Sequence, residues 1–499
     1  MTLGAVLMVQ GTSSDAGKTL LVAALCRYFS DLGYAVAPFK AQNMALNAVA
    51  VAGGEEMGWA QVMQAEASRT KPTVEMNPLL LKPVSDTVSQ VVLRGRVVGD
   101  FSASEYQAFK ATAFPVVLEA LATLRRRYDV VVLEGAGSPA EVNLRSTDLV
   151  NMGLAAAVDA PVLLISDIDR GGMFAYVVGT LALLTDCERA RICGLVVNRF
   201  RGDLERLQPG LDSLSQLTGV PLVGVIPYLS GLSLPAEDSL GITAGAKKVW
   251  DLDVAVIRLP RIANFSDLHI LGEEEGVRLR YITGTRELGR PQLIILPGTK
   301  NTIADLAWLK ETGLYEAIAI AVAGGAFVVG ICGGYQMLGM TIRDRHGVDG
   351  AGGVASGLGL LPLETDFLPE KTITRVSGET VEHGEALEGY EIHFGQSRRL
   401  GGAPFARLTG GDGYYYEDGA CSEDGRVMGT YLHGLFDAAD FRCGYLNRIR
   451  KACMLPTKRP GLSAREKRES SYGMLAVAVR QHLDCDFLRK LLHKEVEKR

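Results

Sequence analysis

This chain of 499 residues lacks several features that mark common classes of protein. Its eight cysteines include no CxxC pair, which argues against both a zinc site and a disulfide framework. It carries no excess of positive charge: the formal net charge is −5, which argues against a protein that binds nucleic acid in bulk. Residues 1–9 have no basic region ahead of their apolar run, so we interpret them as a first strand and not as a signal peptide.

One long stretch lacks charge altogether. Residues 317–342 contain no formally charged side chain, and this length could pass for a membrane-spanning helix. The pairs Gly324-Gly325 and Gly333-Gly334 interrupt the stretch, so it predicts a helix, a strand and a second helix in the core of a parallel sheet. We therefore expect a soluble, cytoplasmic protein, with two large domains for a chain of this length.

The same stretch contains a candidate nucleophile. A strand-like run from Phe327 to Ile331 leads into Cys332, and two glycines and a helical segment follow. Unpaired N–H groups at a helix start stabilise a thiolate, and the N–H of Gly333 would face a developing oxyanion. The strand and Pro-Gly loop over 293–299 could supply a second such donor, at Gly298. The alternative is that Cys332 is a small buried hydrophobic side chain.

A cysteine nucleophile needs a base, and His433 lies in the glycine-flanked segment 429–436. Together these segments resemble the class I glutamine amidotransferase family, in which the cysteine attacks the glutamine amide and ammonia leaves. The resemblance implies catalysis by Cys332 and His433, with His393 structural or supporting. That family usually has a glutamate two residues after the histidine, where this chain has Leu435. The subgroup that acts on cobalamin precursors lacks it, and the group that orients His433 is left open.

The first half of the chain contains a phosphate-binding loop. Residues 11–19 read Gly-Thr-Ser-Ser-Asp-Ala-Gly-Lys-Thr and stand between an apolar strand and a helical segment, as this motif requires. Backbone N–H groups of such a loop hold the phosphates, its lysine reaches the β and γ oxygens, and its threonine hydroxyl binds Mg²⁺. The residues predicted to bind ATP are Gly11, Thr12, Asp15, Gly17, Lys18, Thr19 and, at the end of a later strand, Asn198.

Other strands of this half also end in polar side chains, where the ligand crevice of an open α/β sheet lies. The strand over 130–134 delivers Glu134, which is predicted to hold Mg²⁺ or its water shell together with Thr19. The candidates for contacting an anionic substrate are Lys40, Gln42, Asn43, Asn77, Lys82, Asn143, Arg145 and Asp169. Each of them could instead belong to a surface loop or cap a helix.

The alternation of strands and helices predicts two α/β domains. Residues 1–228 are predicted to form a P-loop ATPase-type doubly wound parallel sheet, and residues 251–441 a glutamine amidotransferase domain. Between them, 229–250 is rich in Gly, Pro and Ser and is predicted to be a linker. Residues 442–499 are predicted to form a helical tail that carries no chemistry.

The sequence of the P-loop resembles that of the dethiobiotin synthetase family, which uses ATP to activate a carboxylate. Nearly the whole chain resembles the adenosylcobyric acid synthase family, with Ala45 where that family often has Ser. The resemblance rests on segments 39–44, 77–83, 134–138, 167–172, 197–203 and 390–395. It implies amidation of the b, d, e and g carboxylates of adenosylcobyrinic acid a,c-diamide through carboxyl phosphates, with ATP, Mg²⁺ and glutamine. It also implies a path for ammonia between Cys332 and the P-loop crevice.

Two alternatives stay open at this point. One is another amidotransferase of the same architecture, such as cobyrinic acid a,c-diamide synthase or a CTP-synthase-like enzyme, against which segments 40–44 and 167–172 argue. The other is a P-loop partition or regulatory ATPase with an inert appended domain, which an intact pair of Cys332 and His433 argues against. We expect a corrinoid and glutamine as small-molecule substrates, and no nucleic-acid or membrane partner. The oligomeric state is open.

Overall fold

The computed structural model describes residues 3–235, 249–350 and 352–497. The first region of the chain begins with a wholly buried strand and a long helix that flank the glycine-rich loop. Its elements are, in order, β1 (Ala5–Gly11), α1 (Lys18–Asp31), β2 (Val36–Phe39), β3 (Gln42–Met44), β4 (Ala48–Val51), β5 (Glu55–Gly58), α2 (Trp59–Ala67), β6 (Leu79–Pro83), β7 (Val88–Leu93), β8 (Arg96–Ser102), α3 (Ala103–Arg127), β9 (Val130–Glu134), α4 (Met152–Ala157), β10 (Val162–Asp167), α5 (Met173–Leu183), α6 (Asp186–Arg189), β11 (Ile192–Phe200), α7 (Leu204–Thr218) and β12 (Leu222–Pro227).

The main sheet of this region is parallel, in the order β12-β11-β10-β1-β9-β2. Both of its faces are buried. Along β1, Val6 and Met8 pack into one apolar cluster, while Leu7 and Val9 pack into another on the opposite face. This is the predicted doubly wound α/β sheet, and its strands deliver the P-loop and the predicted polar side chains to one edge.

A second, smaller sheet was not predicted from the sequence. Strands β3, β6, β7 and β8 form a four-stranded sheet of their own, in which β3 is parallel to β6 and the remaining pairs are antiparallel. Strands β4 and β5 form a separate antiparallel hairpin. These elements leave the main sheet and extend toward the second region, where they form much of the interface between the two.

The second region follows after residue 248. Its elements are β13 (Leu252–Ile257), α8 (His269–Glu273), β14 (Val277–Ile282), α9 (Thr285–Leu288), β15 (Leu293–Leu296), α10 (Thr302–Glu311), α11 (Leu314–Ala323), β16 (Phe327–Ile331), α12 (Gly333–Leu338), β17 (Thr341–Asp344), β18 (Gly353–Ser356), β19 (Leu363–Thr380), β20 (Ala386–Arg399), β21 (Ala406–Gly410), β22 (Tyr415–Asp418), β23 (Ala420–Cys421), β24 (Val427–Thr430) and α13 (Ala439–Ala452). The uncharged stretch 317–342 is thus helix, strand and helix, as its glycines predicted. Among the described residues, no helix is both long enough and apolar enough to span a membrane.

The core sheet of the second region has the order β14-β13-β15-β16-β24-β23 and is parallel except at β23. A further sheet, built on the long hairpin of β19 and β20 with β17, β18, β21 and β22, lies beside it. Ile392 of that hairpin packs with Ala45, Ala48 and Leu80 of the first region, so the two regions share a small apolar cluster at their interface.

The C-terminal segment consists of helices that do not form one unit. The side chains of Phe441 and Tyr445 of α13 are buried in the core of the second region. The next helices, α14 (Ala464–His482) and α15 (Cys485–Glu497), instead cover the first sheet, where Tyr472 and Leu488 are buried beside residues of β1 and α1. The chain therefore ends on the region where it began.

Part of the predicted linker also belongs to the first region. Leu232 and Leu234 pack against its core, and the backbone N–H of Ser233 donates to the hydroxyl of Ser471 in α14, at 2.8 Å. Residues 236–248 of the predicted linker lie outside the described residues.

Candidate active sites

The P-loop connects β1 to α1 and has a tightly constrained backbone. Asp15 and Gly17 both have positive φ, at 56° and 98°. A Cβ on Gly17 would lie 2.1 Å from Nδ2 of Asn198, so only glycine fits there. The same Nδ2 donates to the carbonyl oxygen of Ala16 at 2.9 Å. Asn198, predicted to contact the nucleotide, thus supports the loop from behind.

The polar groups of the loop point toward the end of β9. The ammonium of Lys18 donates to the carbonyl oxygens of Ser13 at 2.9 Å and Gly137 at 3.0 Å, across the space that the loop encloses. The hydroxyl of Thr19 donates to Oε1 of Glu134 at 2.8 Å. The structure therefore brings together the predicted lysine, threonine and acidic residue of a nucleotide site.

Glu134 is fully buried, and three side chains contact its carboxylate. Besides Thr19, the ammonium of Lys40 lies 2.8 Å from Oε1, and Nε2 of Gln64 lies 2.6 Å from Oε2. A hydroxyl and a carboxylate oxygen are the hard donors that Mg²⁺ prefers, and Mg²⁺ keeps several waters and phosphate oxygens besides. Thr19 and Glu134 fit such an ion. Lys40 contacts the same carboxylate oxygen as Thr19 does.

A cavity of about 730 Å³ lies beside the loop, within the size range of small-molecule sites. Of the predicted residues, it is lined by Asp15, Gly17, Lys18, Thr19, Lys40, Gln42, Asn43, Glu134 and Arg145. Its wall also contains Met44, Trp59, Lys110, Arg170 and Arg199, which were not predicted. Cations together with exposed apolar side chains suit a large ligand that has an apolar body and several carboxylates.

The second candidate site lies where β16 meets α12. Cys332 has φ 52° and ψ −110°, a strained conformation for a residue other than glycine. The turn places the cysteine beside Gly298, where a Cβ would lie 3.8 Å from Cβ of Cys332 and 3.1 Å from Cε1 of His433. Gly298, Gly333, Cys332 and His433 all line one narrow cavity. Donation by the N–H groups of Gly298 and Gly333 to an oxyanion stays a prediction.

The thiol of Cys332 donates to the carbonyl oxygen of Ile392 at 3.7 Å, and the imidazole of His433 lines the same cavity. Nδ1 of His433 lies 2.7 Å from Oδ2 of Asp267. The other oxygen of Asp267 accepts from the N–H of Gly434 at 3.1 Å, which fixes the carboxylate. The predicted nucleophile and the predicted base therefore line one cavity, and Asp267 contacts the base as the acid of a catalytic triad would.

Asp267 provides the orienting group that the sequence left open. It lies in the 3₁₀ turn Phe265–Leu268 that follows β13, 166 residues before His433 in the chain. Burial lowers the pKa of His433, but the carboxylate of Asp267 outweighs it, so the pKa lies above the usual value. Leu435, which stands where a glutamate was expected, is buried in the core. No local signal in the sequence marked Asp267, since it lies ten residues beyond the end of β13.

Both regions of the chain match known protein families. Residues 7–241 match the family of the CobQ/CobB/MinD/ParA nucleotide binding domain, and residues 253–441 match the CobB/CobQ-like glutamine amidotransferase domain. A cobyric acid synthase from Yersinia enterocolitica is 48% identical over 99% of both chains. One from Sorangium cellulosum is 47% identical over 97% of this chain and 98% of its own.

The chain belongs to the cobyric acid synthase family. A solved glutamine amidotransferase covers 40% of this chain and 98% of its own at 18% identity with a TM-score of 0.31, a likeness too low to support an argument. Family membership confirms three predictions: the family itself, the α/β fold class with a nucleotide-binding and an amidotransferase domain, and an ATP-dependent amidotransferase ligase of cobalamin biosynthesis.

Some of the predicted site residues lie away from the P-loop cavity. The hydroxyl of Thr12 is paired with that of Ser166 at 2.8 Å, and Gly11 is the last residue of β1. Asn143 is exposed in a 3₁₀ helix, and Oδ1 of Asp169 accepts from Arg201 at 3.2 Å. None of these residues lines the cavity.

Asn77 and Lys82 have roles of a different kind in the structure. The amide of Asn77 is used by backbone groups: Nδ2 donates to the carbonyl oxygens of Lys40 and Leu79, both at 3.1 Å, and Oδ1 accepts from the N–H of Gly58. Asn77 thus holds the strand end that carries Lys40. Lys82 lines the cavity of Cys332, on the far side of the small sheet from the P-loop.

His393 also lines the cavity of Cys332. Its Nδ1 is 2.7 Å from the carbonyl oxygen of Gly395, its Nε2 is 3.3 Å from Glu391, and its ring stacks on Tyr431 at 3.8 Å. Both ring nitrogens therefore have protein partners, which is consistent with the supporting role predicted for this residue.

Proposed function

We propose that this chain hydrolyses glutamine at Cys332 and uses the ammonia, with ATP bound at the P-loop, to amidate the b, d, e and g carboxylates of adenosylcobyrinic acid a,c-diamide. The observation that carries the proposal is the cavity that Cys332 and His433 line, with Asp267 at His433, in the same chain as the cavity at Lys18 and Glu134. We expect the reaction to take place in the cytoplasm, where ATP and glutamine are supplied.

Glutamine hydrolysis follows from the geometry around Cys332. His433 takes the proton of the Cys332 thiol, the sulfur attacks the amide carbon, and the N–H groups of Gly333 and Gly298 stabilise the oxyanion that forms. His433 gives a proton to the departing nitrogen, which leaves as ammonia. Water then attacks the thioester, His433 takes a proton from that water, and glutamate is released. Asp267 holds the imidazole orientation and stabilises its positive charge throughout.

Amidation needs a better leaving group than oxide. At the P-loop the γ-phosphoryl group of ATP passes to a substrate carboxylate oxygen, and ammonia then displaces phosphate from the carboxyl carbon. Lys18 neutralises charge on the β and γ oxygens, and Lys40 and Arg145 line the space where the carboxylate would be held. Mg²⁺, held through Thr19 and Glu134, would supply further charge neutralisation at the phosphates.

The two cavities share one segment of the chain in their walls. The segment 42–46 lines both cavities: Gln42, Asn43 and Met44 face the P-loop cavity, and Leu46 faces that of Cys332. We propose that ammonia passes along this segment. A protected passage matters because protonation in bulk water would convert ammonia to ammonium, which is not a nucleophile.

The test is mass spectrometry of the corrinoid diamide incubated with the protein, ATP, Mg²⁺ and either glutamine or an ammonium salt. Wild-type protein should add four amides from either source, and Cys332→Ala should do so only from ammonium. Cys443→Ala, which removes another buried cysteine of the second region, should keep both activities. Glutamine hydrolysis by Cys332→Ala would contradict the assigned nucleophile. No amidation from either source, with glutamine hydrolysis intact, would contradict the assigned acceptor.

A further inference from the structure

The cavity of Cys332 has three lysines in its wall, and they come from both regions of the chain. Lys82 belongs to β6 of the small sheet in the first region, Lys371 belongs to β19, and Lys300 follows β15. The proposed mechanism of glutamine hydrolysis uses the other end of this cavity, where Cys332 and His433 lie. It leaves the lysines without a role.

Two of the lysines share one carboxylate. Glu56, which is fully buried and comes from β5, lies 2.8 Å from the ammonium of Lys82 and 2.6 Å from that of Lys371. Burial would raise the pKa of Glu56, but these two ammonium groups outweigh it and lower the pKa. Glu56 therefore stays ionised and links the two regions through its two lysines.

The third lysine has no such partner. Within the described residues, the ammonium of Lys300 makes no hydrogen bond or ion pair, and it lies 5.8 Å from the centre of the Phe394 ring. Burial, and then the charge of Lys82, lower its pKa. Asp349 is the one carboxylate among the residues that line this cavity. Glu56 is matched by two of the three ammonium groups, and burial raises the pKa of Asp349 to about 7. Lys300 is therefore the cation of this wall that an incoming carboxylate would meet.

Glutamine carries the matching groups. When its side-chain amide is at Cys332, its α-carboxylate and α-ammonium must lie at the other end of the same cavity. We propose that Lys300 and Lys82 bind the α-carboxylate of glutamine, with Asp349 opposite its α-ammonium. This inference rests on the proposed hydrolysis of glutamine at Cys332. It makes the glutamine site a joint product of both regions, because Lys82 and Glu56 belong to the nucleotide-binding region.

The test compares glutamine with 4-aminobutanamide, which keeps the amide and the amine but has no α-carboxylate. We expect Lys300→Met and Lys82→Met each to lower kcat/KM for glutamine hydrolysis roughly 10- to 100-fold, the range of a lost charge-assisted hydrogen bond. Hydrolysis of 4-aminobutanamide should change less than about threefold. Amidation driven by ammonium salts should be unchanged in Lys300→Met, which leaves no charged partner unpaired within the described residues.

Arg261→Met is the matched control. Arg261 also joins the two regions, through the carbonyl oxygen of Val84 at 3.3 Å and Asp86 at 3.1 Å, but it does not line the cavity. Arg261→Met should lower hydrolysis of glutamine and of 4-aminobutanamide equally, or should leave both unchanged. Equal loss for both amides in the lysine variants, or no loss, would overturn the carboxylate site. If Cys332→Ala still hydrolysed glutamine, the proposed function itself would fail instead.

Discussion

Asp267→Asn is the sharpest test of the glutaminase site. Asparagine has the shape of aspartate but no charge, and its amide can present an N–H to Nδ1 of His433 where a carboxylate oxygen now lies at 2.7 Å. The imidazole would then be held in the wrong tautomer, with its proton on the nitrogen that faces Cys332. Both groups are almost wholly buried, Asp267 at 5% and His433 at 1% exposure, so water cannot replace the lost partner.

The size of the effect follows from the bond that is lost. A charge-assisted hydrogen bond contributes about 1.5–3 kcal/mol, which is roughly 10- to 150-fold in rate, and a wrong tautomer adds to this. We therefore expect kcat for glutamine hydrolysis to fall at least 100-fold. The pH profile should shift as well. Asp267 raises the pKa of His433, so its removal lowers that pKa, and activity that needs the imidazolium should fall off at lower pH than in the wild type.

The assay is glutamate release across pH, with amidation from ammonium salts as the internal control. Asp253→Asn is the matched variant, because Asp253 is another buried aspartate of this region, paired with Arg280 at 2.8 Å far from Cys332. It should lose stability but keep glutamine hydrolysis per folded molecule. Hydrolysis by Asp267→Asn within threefold of the wild type, with an unmoved pH profile, would refute the role of Asp267.

Two further predictions concern the first region. Lys18→Met should lower amidation from both glutamine and ammonium salts by about 100-fold or more, because the charge of the ATP phosphates loses its partner, while glutamine hydrolysis persists. The control is Lys71→Met, which changes an exposed lysine. Retained amidation in Lys18→Met would contradict the carboxyl-phosphate route. Leu488→Ala should lower the free energy of unfolding by about 2–5 kcal/mol in denaturant titrations, since that side chain is fully buried against the first sheet. Leu217→Ala, at 71% exposure on α7, should change it by less than about 0.5 kcal/mol, and equal effects would refute the docking of α15.

The parts of the sites that could be predicted are those encoded in short stretches. The P-loop and the turn at Cys332 each combine a strand, glycines and a helix within about a dozen residues, so their chemistry is visible locally. Asp267 has no such signal. It lies on a single 3₁₀ turn, and only the assembly of β13, β15, β16 and β24 into one sheet brings it to His433.

Lys82 shows a different limit. The rule that polar residues at strand ends face the ligand crevice placed it with Lys40, and it does lie near the end of a strand, β6. That strand, however, pairs with β3 and β7 in the small sheet, which extends toward the second region and presents Lys82 to the cavity of Cys332. Sheet membership depends on long-range pairing, and alternation of apolar residues along one strand does not reveal it.

The return of α14 and α15 to the first sheet gives the amidotransferase region two covalent attachments to its neighbour. A region tied at both ends behaves as an insertion, and it cannot drift away even when the interface opens briefly. Arg468 of α14 strengthens this closure by pairing with Glu66 at 3.0 Å and with Asp437 of the second region at 3.3 Å. Cutting the gene between the two halves would therefore not release two working enzymes, because the first would lose the helices that cover its own core.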